Sequence, residues 1–293
     1  MDWETVWEVV SDAFLDTLKL FPFLLLSYIV IELLEHKTDL GKPHGALSGK
    51  LAPLIGGATG LIPQCGFSVM AAKLYENRHI TVGTLLAVFL ATSDEAFIIL
   101  LSSGKGAVAI MPMIAIKLAV GVGTGYFADA LVRRKAVAVG EHEHYDCTSC
   151  GREHDGKRPL TLYFLAPLLH SLQVAAYILL VNLAFGFLFA AIGQARVTEF
   201  LAAGVWVQPL IAAFIGLIPN CASSVVLTQT YLLGGITFGS CLAGLCANAG
   251  LGLLVLLRNG REYKRNLCII LILYAVGIAV GYAVNAIALA FGA

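Results

Sequence analysis

Long apolar stretches alternate with short polar ones along the whole chain. Six of them have about 20 or more mostly apolar residues, the length an α-helix needs to cross roughly 30 Å of hydrocarbon. They lie near residues 13–34, 80–102, 106–132, 161–192, 236–257 and 267–291. The pattern predicts an all-α polytopic membrane protein.

Two further apolar stretches, 49–76 and 205–232, are each interrupted by a similar motif. The motifs are Gly-Leu-Ile-Pro-Gln-Cys at 60–65 and Gly-Leu-Ile-Pro-Asn-Cys at 216–221. Proline removes a backbone donor and clashes with the preceding turn. Each stretch is therefore either a kinked span or two half-helices that meet at a tip.

The two motifs are 156 residues apart, and the same offset aligns other positions far from them. The aligned pairs include Pro53 with Pro209, Ser68 with Ser224, Tyr75 with Tyr231, Gly83 with Gly239, and Tyr126 with Tyr282. One constant offset through Pro, Cys, Tyr and Gly indicates an internal duplication. We divide the chain into a first membrane repeat (1–135), a linker (136–159) and a second membrane repeat (160–293).

The distribution of Lys and Arg favours re-entrant hairpins for the two interrupted stretches. This arrangement puts both termini outside and the linker in the cytoplasm. All Lys and Arg except Lys19, Lys105, Lys117 and Arg196 then lie on the cytoplasmic side, 15 of the 19, as the positive-inside rule requires. Each repeat has three spans, so the second is inverted relative to the first, as in secondary transporters.

The composition narrows the classes of function. The 293 residues are 58% hydrophobic and only 13% charged, which excludes an ordinary soluble enzyme. The 19 basic and 19 acidic residues cancel, so a nucleic-acid partner is not expected. Seven cysteines, mostly in apolar stretches, do not indicate a disulfide framework. The sequence lacks a Walker phosphate loop and a His-Glu-x-x-His motif, so we expect neither ATP hydrolysis nor another enzymatic activity.

Two hairpins of opposite orientation are expected to bring their tips together near the middle of the membrane. Pro63 and Pro219 suit the first turn of the outgoing half-helices. That register places four residues at the positive helix ends: Gln64, Cys65, Asn220 and Cys221. A thiolate is favoured there and is a soft ligand for thiophilic metals and trivalent arsenic. Alternatively, both cysteines are small packing residues.

Polar residues also interrupt the apolar run 80–102. They are Thr92-Ser93-Asp94-Glu95, and Asn248 lies at the matching offset of Thr92. Buried carboxylates in a span are costly and indicate function. Adjacent helical residues point about 100° apart, so the two carboxylates are expected to have different roles. One binds substrate, while the other takes a proton or pairs with Lys117. The alternative is a purely structural Asp94–Lys117 ion pair.

Two further titratable groups occupy similar places in the first span of each repeat. They are Asp16 and His170. Together they are candidates for a proton relay. An interfacial pair of Asp16 with Lys19 is an equally good interpretation, because long basic side chains extend towards the membrane surface.

The linker contains residues that typically bind metal. They are His142, His144, Cys147, Cys150 and His154. Imidazole and thiolate at this spacing can supply the tetrahedral ligands that zinc-like ions prefer. In the cytoplasm such a site would capture or sense metal before export. The alternative is a solvated polar linker with incidental Cys and His.

Taken together, these motifs resemble the ten-helix heavy-metal exporter family, whose members are labelled manganese transporters or arsenic efflux proteins. The resemblance covers nearly the whole chain, and the hairpin motifs are its most specific part. It implies ten helical elements, six spans plus four half-helices. It also implies export of a metal or metalloid across a bacterial or archaeal inner membrane.

The sequence thus predicts a secondary-active, proton-coupled exporter of a divalent metal or metalloid in the lipid bilayer, without a resident cofactor and compatible with a homo-oligomer. An oxygen-rich set suits a hard ion such as manganese: Gln64, Asp94, Glu95, Asn220 and Asn248. The positive helix ends at the tips would rather hold an anion or a thiolate. The alternative is therefore a secondary carrier of a small organic or inorganic anion. An intramembrane enzyme using Asp94 and Glu95 is a third hypothesis.

Overall fold

The computed structural model describes residues 51–62, 65–76, 79–92, 96–103, 107–139, 166–192, 204, 206–258 and 263–291, and near the N-terminus the helical residues 3, 6–7, 9–15, 17–18, 21–22 and 25–26. For Cys65, His170 and Cys221 it describes only the backbone. Within these residues all regular secondary structure is α-helical, as predicted.

In chain order, the helices with described bounds form two similar groups with one long helix between them. The first group is α1 (Ala52–Gly60), α2 (Cys65–Glu76), α3 (Val82–Ala91), α4 (Ala96–Ser102) and α5 (Ala107–Val139). Helix α6 (Ala166–Ile192) follows. The second group is α7 (Gln208–Gly216), α8 (Cys221–Leu232), α9 (Phe238–Ala247), α10 (Gly252–Arg258) and α11 (Tyr263–Phe291).

The helix bounds follow the offset found in the sequence. Each helix from α7 to α11 begins 156 residues after its counterpart from α1 to α5, for example Gln208 after Ala52 and Tyr263 after Ala107. The first four pairs also end at this offset. The two halves therefore form the same helices in the same order.

Equivalent residues start equivalent helices. Proline occupies the first turn of both α1 and α7, where its fixed φ suits a helix and its missing N–H costs nothing. Thr81 and Thr237 are the N-caps of α3 and α9. Each threonine side chain accepts the backbone N–H three residues later, from Thr84 and Ser240, at 3.1 Å.

The two motif-bearing stretches form separate helices, with α1 distinct from α2 and α7 distinct from α8. The spans expected at 80–102 and 236–257 differ from the prediction, because each is also broken into two helices. In the second span, the backbone of Asn248 leaves the helical region and Gly250 has φ +58°. That left-handed conformation suits glycine and ends the helix.

The two broken spans form the centre of the structure. Four stretches of the described residues are long and apolar enough to cross a membrane. Val82–Ser102 and Phe238–Arg258 are 80% and 94% buried in the protein, whereas Ala109–Val132 and Tyr263–Ala290 are 22% and 28% buried. The broken spans are thus enclosed by protein, and the long helices α5 and α11 expose apolar surface as membrane-facing helices do.

Within each half, the first piece of the broken span packs between two other helices. Helix α3 contacts α1 and α5, and α9 contacts α7 and α11. Glycines allow the close crossings. A Cβ on Gly125 would lie 2.7 Å from the Gly83 carbonyl oxygen, and one on Gly281 would lie 3.0 Å from that of Gly239.

Helices of one half also pack on helices of the other half. Helix α2 of the first half packs on α10 of the second, and α8 of the second half packs on α4 of the first. Each helix that begins at the cysteine of a Pro-Gln-Cys or Pro-Asn-Cys motif therefore contacts the second helix of the broken span in the opposite half. The two halves interlock through the elements that carry the candidate functional residues.

Candidate transport site

The break between α9 and α10 is built by Asn248. Its backbone N–H donates to the Gly244 carbonyl at 3.0 Å, which closes the last turn of α9. Its side-chain oxygen accepts the N–H of Gly250 at 2.8 Å, which fixes the chain as it leaves the helix. Asn248 is buried, so the break exposes backbone polar groups inside the protein rather than to solvent or lipid.

Thr92 holds the matching position at the end of α3. Both its backbone N–H and its hydroxyl donate to the Val88 carbonyl, at 2.9 and 2.7 Å. Thr92 is buried as well. Ser93, Asp94 and Glu95 follow it directly in the sequence and lie outside the described residues. The first break is thus placed by Thr92, but its carboxylates remain predictions.

Lys117 of α5 lies at the break of the opposite half. Its side chain is fully buried, and its ammonium donates to the Leu245 carbonyl at 2.5 Å. Leu245 is in the last turn of α9, where carbonyls lose their partners within the helix. The ammonium therefore satisfies an end carbonyl and sits at the negative end of the helix dipole.

The tip between α7 and α8 is capped by Asn220. This buried residue is the N-cap of α8, and its side-chain oxygen accepts the N–H of Ala222 at 3.2 Å. Pro219 precedes the cap, so its expected place in the first turn is wrong. Asparagine is a strong N-cap, so Asn220 caps the helix, whereas the prediction had placed it within the first turn.

Ser68 joins the first tip region to the second break. It lies one turn after Cys65 in α2, is fully buried, and accepts the N–H of Gly252 through its hydroxyl at 3.3 Å. Gly252 is the first residue of α10, and a Cβ on it would collide with the Ser68 backbone. The helix that begins at Cys65 is therefore held against the second half, immediately after the Asn248 break.

Several predicted site residues cannot be placed. Those outside the described residues are Asp16, Gln64, Asp94, Glu95 and, in the linker, His142, His144, Cys147, Cys150 and His154. Cys65 and Cys221 are the first residues of α2 and α8, and His170 lies in α6, but their side chains are not described. Among the described residues, no group of three or more His, Cys, Asp or Glu could hold a metal ion.

Two buried thiols near Lys117 were missed by the sequence reasoning. Cys241 and Cys246 are free cysteines of α9, and Cys246 directly follows the Leu245 carbonyl that accepts the Lys117 ammonium. In an apolar stretch a cysteine has the sequence signature of a packing residue. Their place beside a buried charge follows only from the bond between Lys117 and the Leu245 carbonyl.

Apolar helices long enough to span a bilayer, with buried polar groups at their breaks, define a multi-pass membrane protein. Residues 2–167 and 168–290 match the model of a family described as "Putative, 10TM heavy-metal exporter". The matches cover nearly the whole chain, so the chain belongs to this family, as predicted. The family description indicates heavy-metal export, a transport rather than an enzymatic function. No curated protein and no solved structure matches the chain.

Proposed function

We propose that the protein is a secondary-active, proton-coupled exporter of a divalent metal ion or a metalloid. The observation that carries the proposal is the fully buried ammonium of Lys117 at the negative end of α9. A charge inside membrane-spanning helices is costly and is typical of ion pathways and proton relays. Here it also lies at a helix break, the kind of element that forms ion sites in transporters.

Asp94 and Glu95 complete the proposed site. They follow Thr92 in the first break and correspond by offset to Gly250 and Leu251 in the second. If a proton and the substrate exclude each other from one carboxylate, loading from the cytoplasm releases the proton inward. Unloading outside then takes one up, which is antiport. Asp16 and His170 are the next candidates for the relay.

The identity of the ion depends on which donors it meets. Thr92 and Asn248 present oxygen at the breaks, and with Gln64, Asp94, Glu95 and Asn220 they favour a hard ion such as manganese. Cys65 and Cys221 at the helix starts, with the buried thiols of α9, favour a softer ion or arsenite. We therefore keep both classes of substrate in the proposal and distinguish them by transport.

The carrier of a small anion is less well supported. Such an anion would bind to unoccupied N–H groups at the N-terminal end of α8. There, Asn220 already accepts the N–H of Ala222 through its side chain and that of Ser223 through its backbone carbonyl. The chain itself thus occupies donors that the anion would need.

We also propose the membrane arrangement. The protein lies in the inner membrane with both termini outside, the linker in the cytoplasm, re-entrant hairpins at the two motifs and an inverted second repeat. The Lys and Arg distribution supports this orientation. The equal helix bounds of the two halves support a repeat, while its direction is the subject of a prediction below.

Transport into sealed proteoliposomes tests the function. Vesicles that contain a pH-sensitive dye receive Mn²⁺, Zn²⁺, Cd²⁺ or arsenite, and the uptake of each is measured together with the internal pH. We expect uptake of at least one of these substrates with proton movement in the opposite direction. Uptake without proton movement would refute the coupling. Uptake of small anions alone would favour the anion carrier.

A carboxylate variant locates the coupling. Asp94→Asn combined with Glu95→Gln keeps the shape of the side chains but removes their exchangeable charge. Gradient-driven uptake should collapse while the protein still inserts. Asp12→Asn, a change to a carboxylate outside the breaks, is the matched control and should transport as the wild type does. Gradient-driven uptake that survives in the double variant would place the coupling elsewhere.

A further inference from the structure

A groove runs between the two long outer helices, α5 of the first half and α11 of the second. It has a volume of about 860 Å³. Phe127 and Leu131 line it from α5, and Ile269, Ile272 and Val276 line it from α11. Phe127 is 70% exposed, so the apolar wall opens outwards, where a membrane-spanning helix meets lipid.

The length of the groove matches one leaflet of a bilayer. It extends along α11 from Arg265 to Val276, twelve residues, and the eleven steps of 1.5 Å between them give about 16 Å. The hydrocarbon core of a bilayer is about 30 Å thick, so one leaflet is about 15 Å deep. An acyl chain lying in the groove would thus reach from the headgroup level to the membrane centre.

One end of the groove, the cytoplasmic end in the proposed orientation, is basic. Arg265 lines it, and the exposed Lys264 precedes Arg265 in the first turn of α11. Tyr263 begins the same helix, is 63% exposed, and has the Lys264 ammonium 5.9 Å from its ring centre, as expected at a membrane interface. On α5 the sequence continues past the groove with Arg133, Arg134 and Lys135. The charge at this end is complementary to an anion.

We propose that this groove binds an anionic phospholipid, with the acyl chains between α5 and α11 and the headgroup phosphate at Arg265 and Lys264. Basic pockets between transmembrane helices are a known form of lipid headgroup site. The lipid would bridge the two halves of the protein. Its headgroup would also reach the first hairpin, because the Arg265 guanidinium lies 4.8 Å from the ring centre of Tyr75 in α2.

Fluorescence quenching by brominated lipid tests the proposal. Phe127→Trp places a reporter in the groove, in a background where Trp3, Trp7 and Trp206 are replaced by phenylalanine. Tyr126→Trp is the matched control, because Tyr126 is the next residue, is 41% exposed and does not line the groove. Both proteins are placed in phosphatidylcholine nanodiscs with a minor fraction of brominated phosphatidylglycerol or brominated phosphatidylcholine.

We expect brominated phosphatidylglycerol to quench the groove reporter more effectively than the same fraction of brominated phosphatidylcholine. Each basic residue that contacts the headgroup should contribute a factor of about five to this preference. The two lipids should quench the control reporter equally. Arg265→Gln should reduce the preference and Arg265→Lys should largely keep it. Lys264→Gln, at an exposed position that does not endanger folding, should reduce it as well.

Two results would overturn the proposal. One is equal quenching of the groove reporter by the two lipids. The other is a preference for phosphatidylglycerol that survives in the folded Lys264→Gln and Arg265→Gln proteins, because the headgroup would then be held elsewhere. If Arg265→Gln does not fold, the Lys264→Gln protein and the loss of preference with rising salt decide the matter.

Discussion

The ammonium of Lys117 donates to the backbone carbonyl of Leu245, and this bond joins the two halves of the protein at a helix break. Lys117 belongs to the outer helix of the first half, whereas Leu245 belongs to the central broken helix of the second. The matching position of Lys117 in the second half is Leu273, which is also fully buried. The charge is thus present in only one half, although the helices repeat.

The first prediction concerns this charge. Lys117→Met keeps an unbranched side chain of nearly the same length and removes the ammonium. The Leu245 carbonyl loses this donor at a cost of about 1–3 kcal/mol, and the change also removes the desolvation cost of the buried ammonium. We therefore expect a folded protein with a modestly lower unfolding midpoint. Its transport in proteoliposomes should fall at least about tenfold, as expected for an intramembrane functional charge.

Leu273→Met is the matched control for Lys117→Met. It places the same side chain at the equivalent position of α11, where a Leu to Met change in a core costs under about 1.5 kcal/mol. Transport should remain close to that of the wild type. Full transport by the Lys117→Met protein would show that Lys117 only stabilises the fold.

The second prediction concerns the crossing of α3 and α5. In Gly125→Ala the new Cβ would lie 2.7 Å from the Gly83 carbonyl oxygen and 3.0 Å from Pro53 Cβ. Backbone and a proline ring cannot move aside easily, so we expect a loss of about 2 kcal/mol of stability. Gly123→Ala, two residues earlier in the same helix, meets nothing within 4 Å and should be neutral or stabilising by up to about 1 kcal/mol.

Thermal unfolding in detergent, followed by the loss of the monodisperse peak on size exclusion, compares the two proteins. A Gly125→Ala protein as stable as the Gly123→Ala protein would mean that the helices do not cross this closely.

The duplication made much of the fold predictable. A constant offset through proline and glycine identifies equivalent positions, and equivalent helix starts such as Thr81 and Thr237 follow from it. Polar residues mark the break after α3 in the sequence, whereas the break after α9 was harder to predict because the apolar run 236–257 continues past it. Asn248 and Gly250 change the backbone without lowering the hydropathy enough to mark a helix end.

Contacts between distant parts of the chain could not be predicted from the sequence. Lys117 was recognised as a charge inside a span, but the Leu245 backbone carbonyl that accepts its hydrogen bond has no residue signature. Ser68 likewise has the sequence pattern of a small residue in a helix, which does not predict that its hydroxyl accepts the N–H of Gly252 in the other half. The packing of α2 on α10 produces the Ser68 bond, and a hydrophobic pattern does not predict which helices of the two halves contact each other.

The third prediction concerns Asp129, which holds the start of α3. Its carboxylate accepts the hydroxyl of Thr81 at 2.7 Å and the N–H of Gly83 at 2.9 Å. Removing both bonds to a charged group at a helix N-terminus should cost about 2 kcal/mol. We expect Asp129→Ala to lower the unfolding midpoint and Asp129→Asn, which keeps an acceptor oxygen, to lower it less.

Both Asp129 proteins should retain transport below their unfolding temperature, because Asp129 of α5 contacts the start of α3 and the break lies at the end of α3. Loss of transport at unchanged stability would instead give Asp129 a role in the pathway.

The fourth prediction concerns the linker. If His142, His144, Cys147, Cys150 and His154 only concentrate or sense metal, replacing all five with serine should leave transport measurable. The dependence of the rate on cytosolic metal should change, because imidazole and thiolate ligands have been removed. Transport is measured in inside-out vesicles over a range of metal concentrations. Complete loss at normal expression would make the linker part of the pathway.

The last prediction concerns the direction of the second repeat. Asn77 and Leu233 are equivalent by the offset of 156, and each follows the outgoing helix of its hairpin, α2 or α8. In an inverted repeat they lie on opposite sides of the membrane, with Asn77 inside. Leu233 suits the experiment better than its neighbour Gly234, whose φ of +76° would strain a cysteine, and it is 82% exposed. In a background without reactive thiols, Leu233→Cys should react with an impermeant thiol reagent added to intact cells. Asn77→Cys should react only after the cells are opened. Labelling of both in intact cells, or of Asn77→Cys alone, would rule out the inverted arrangement in the proposed orientation.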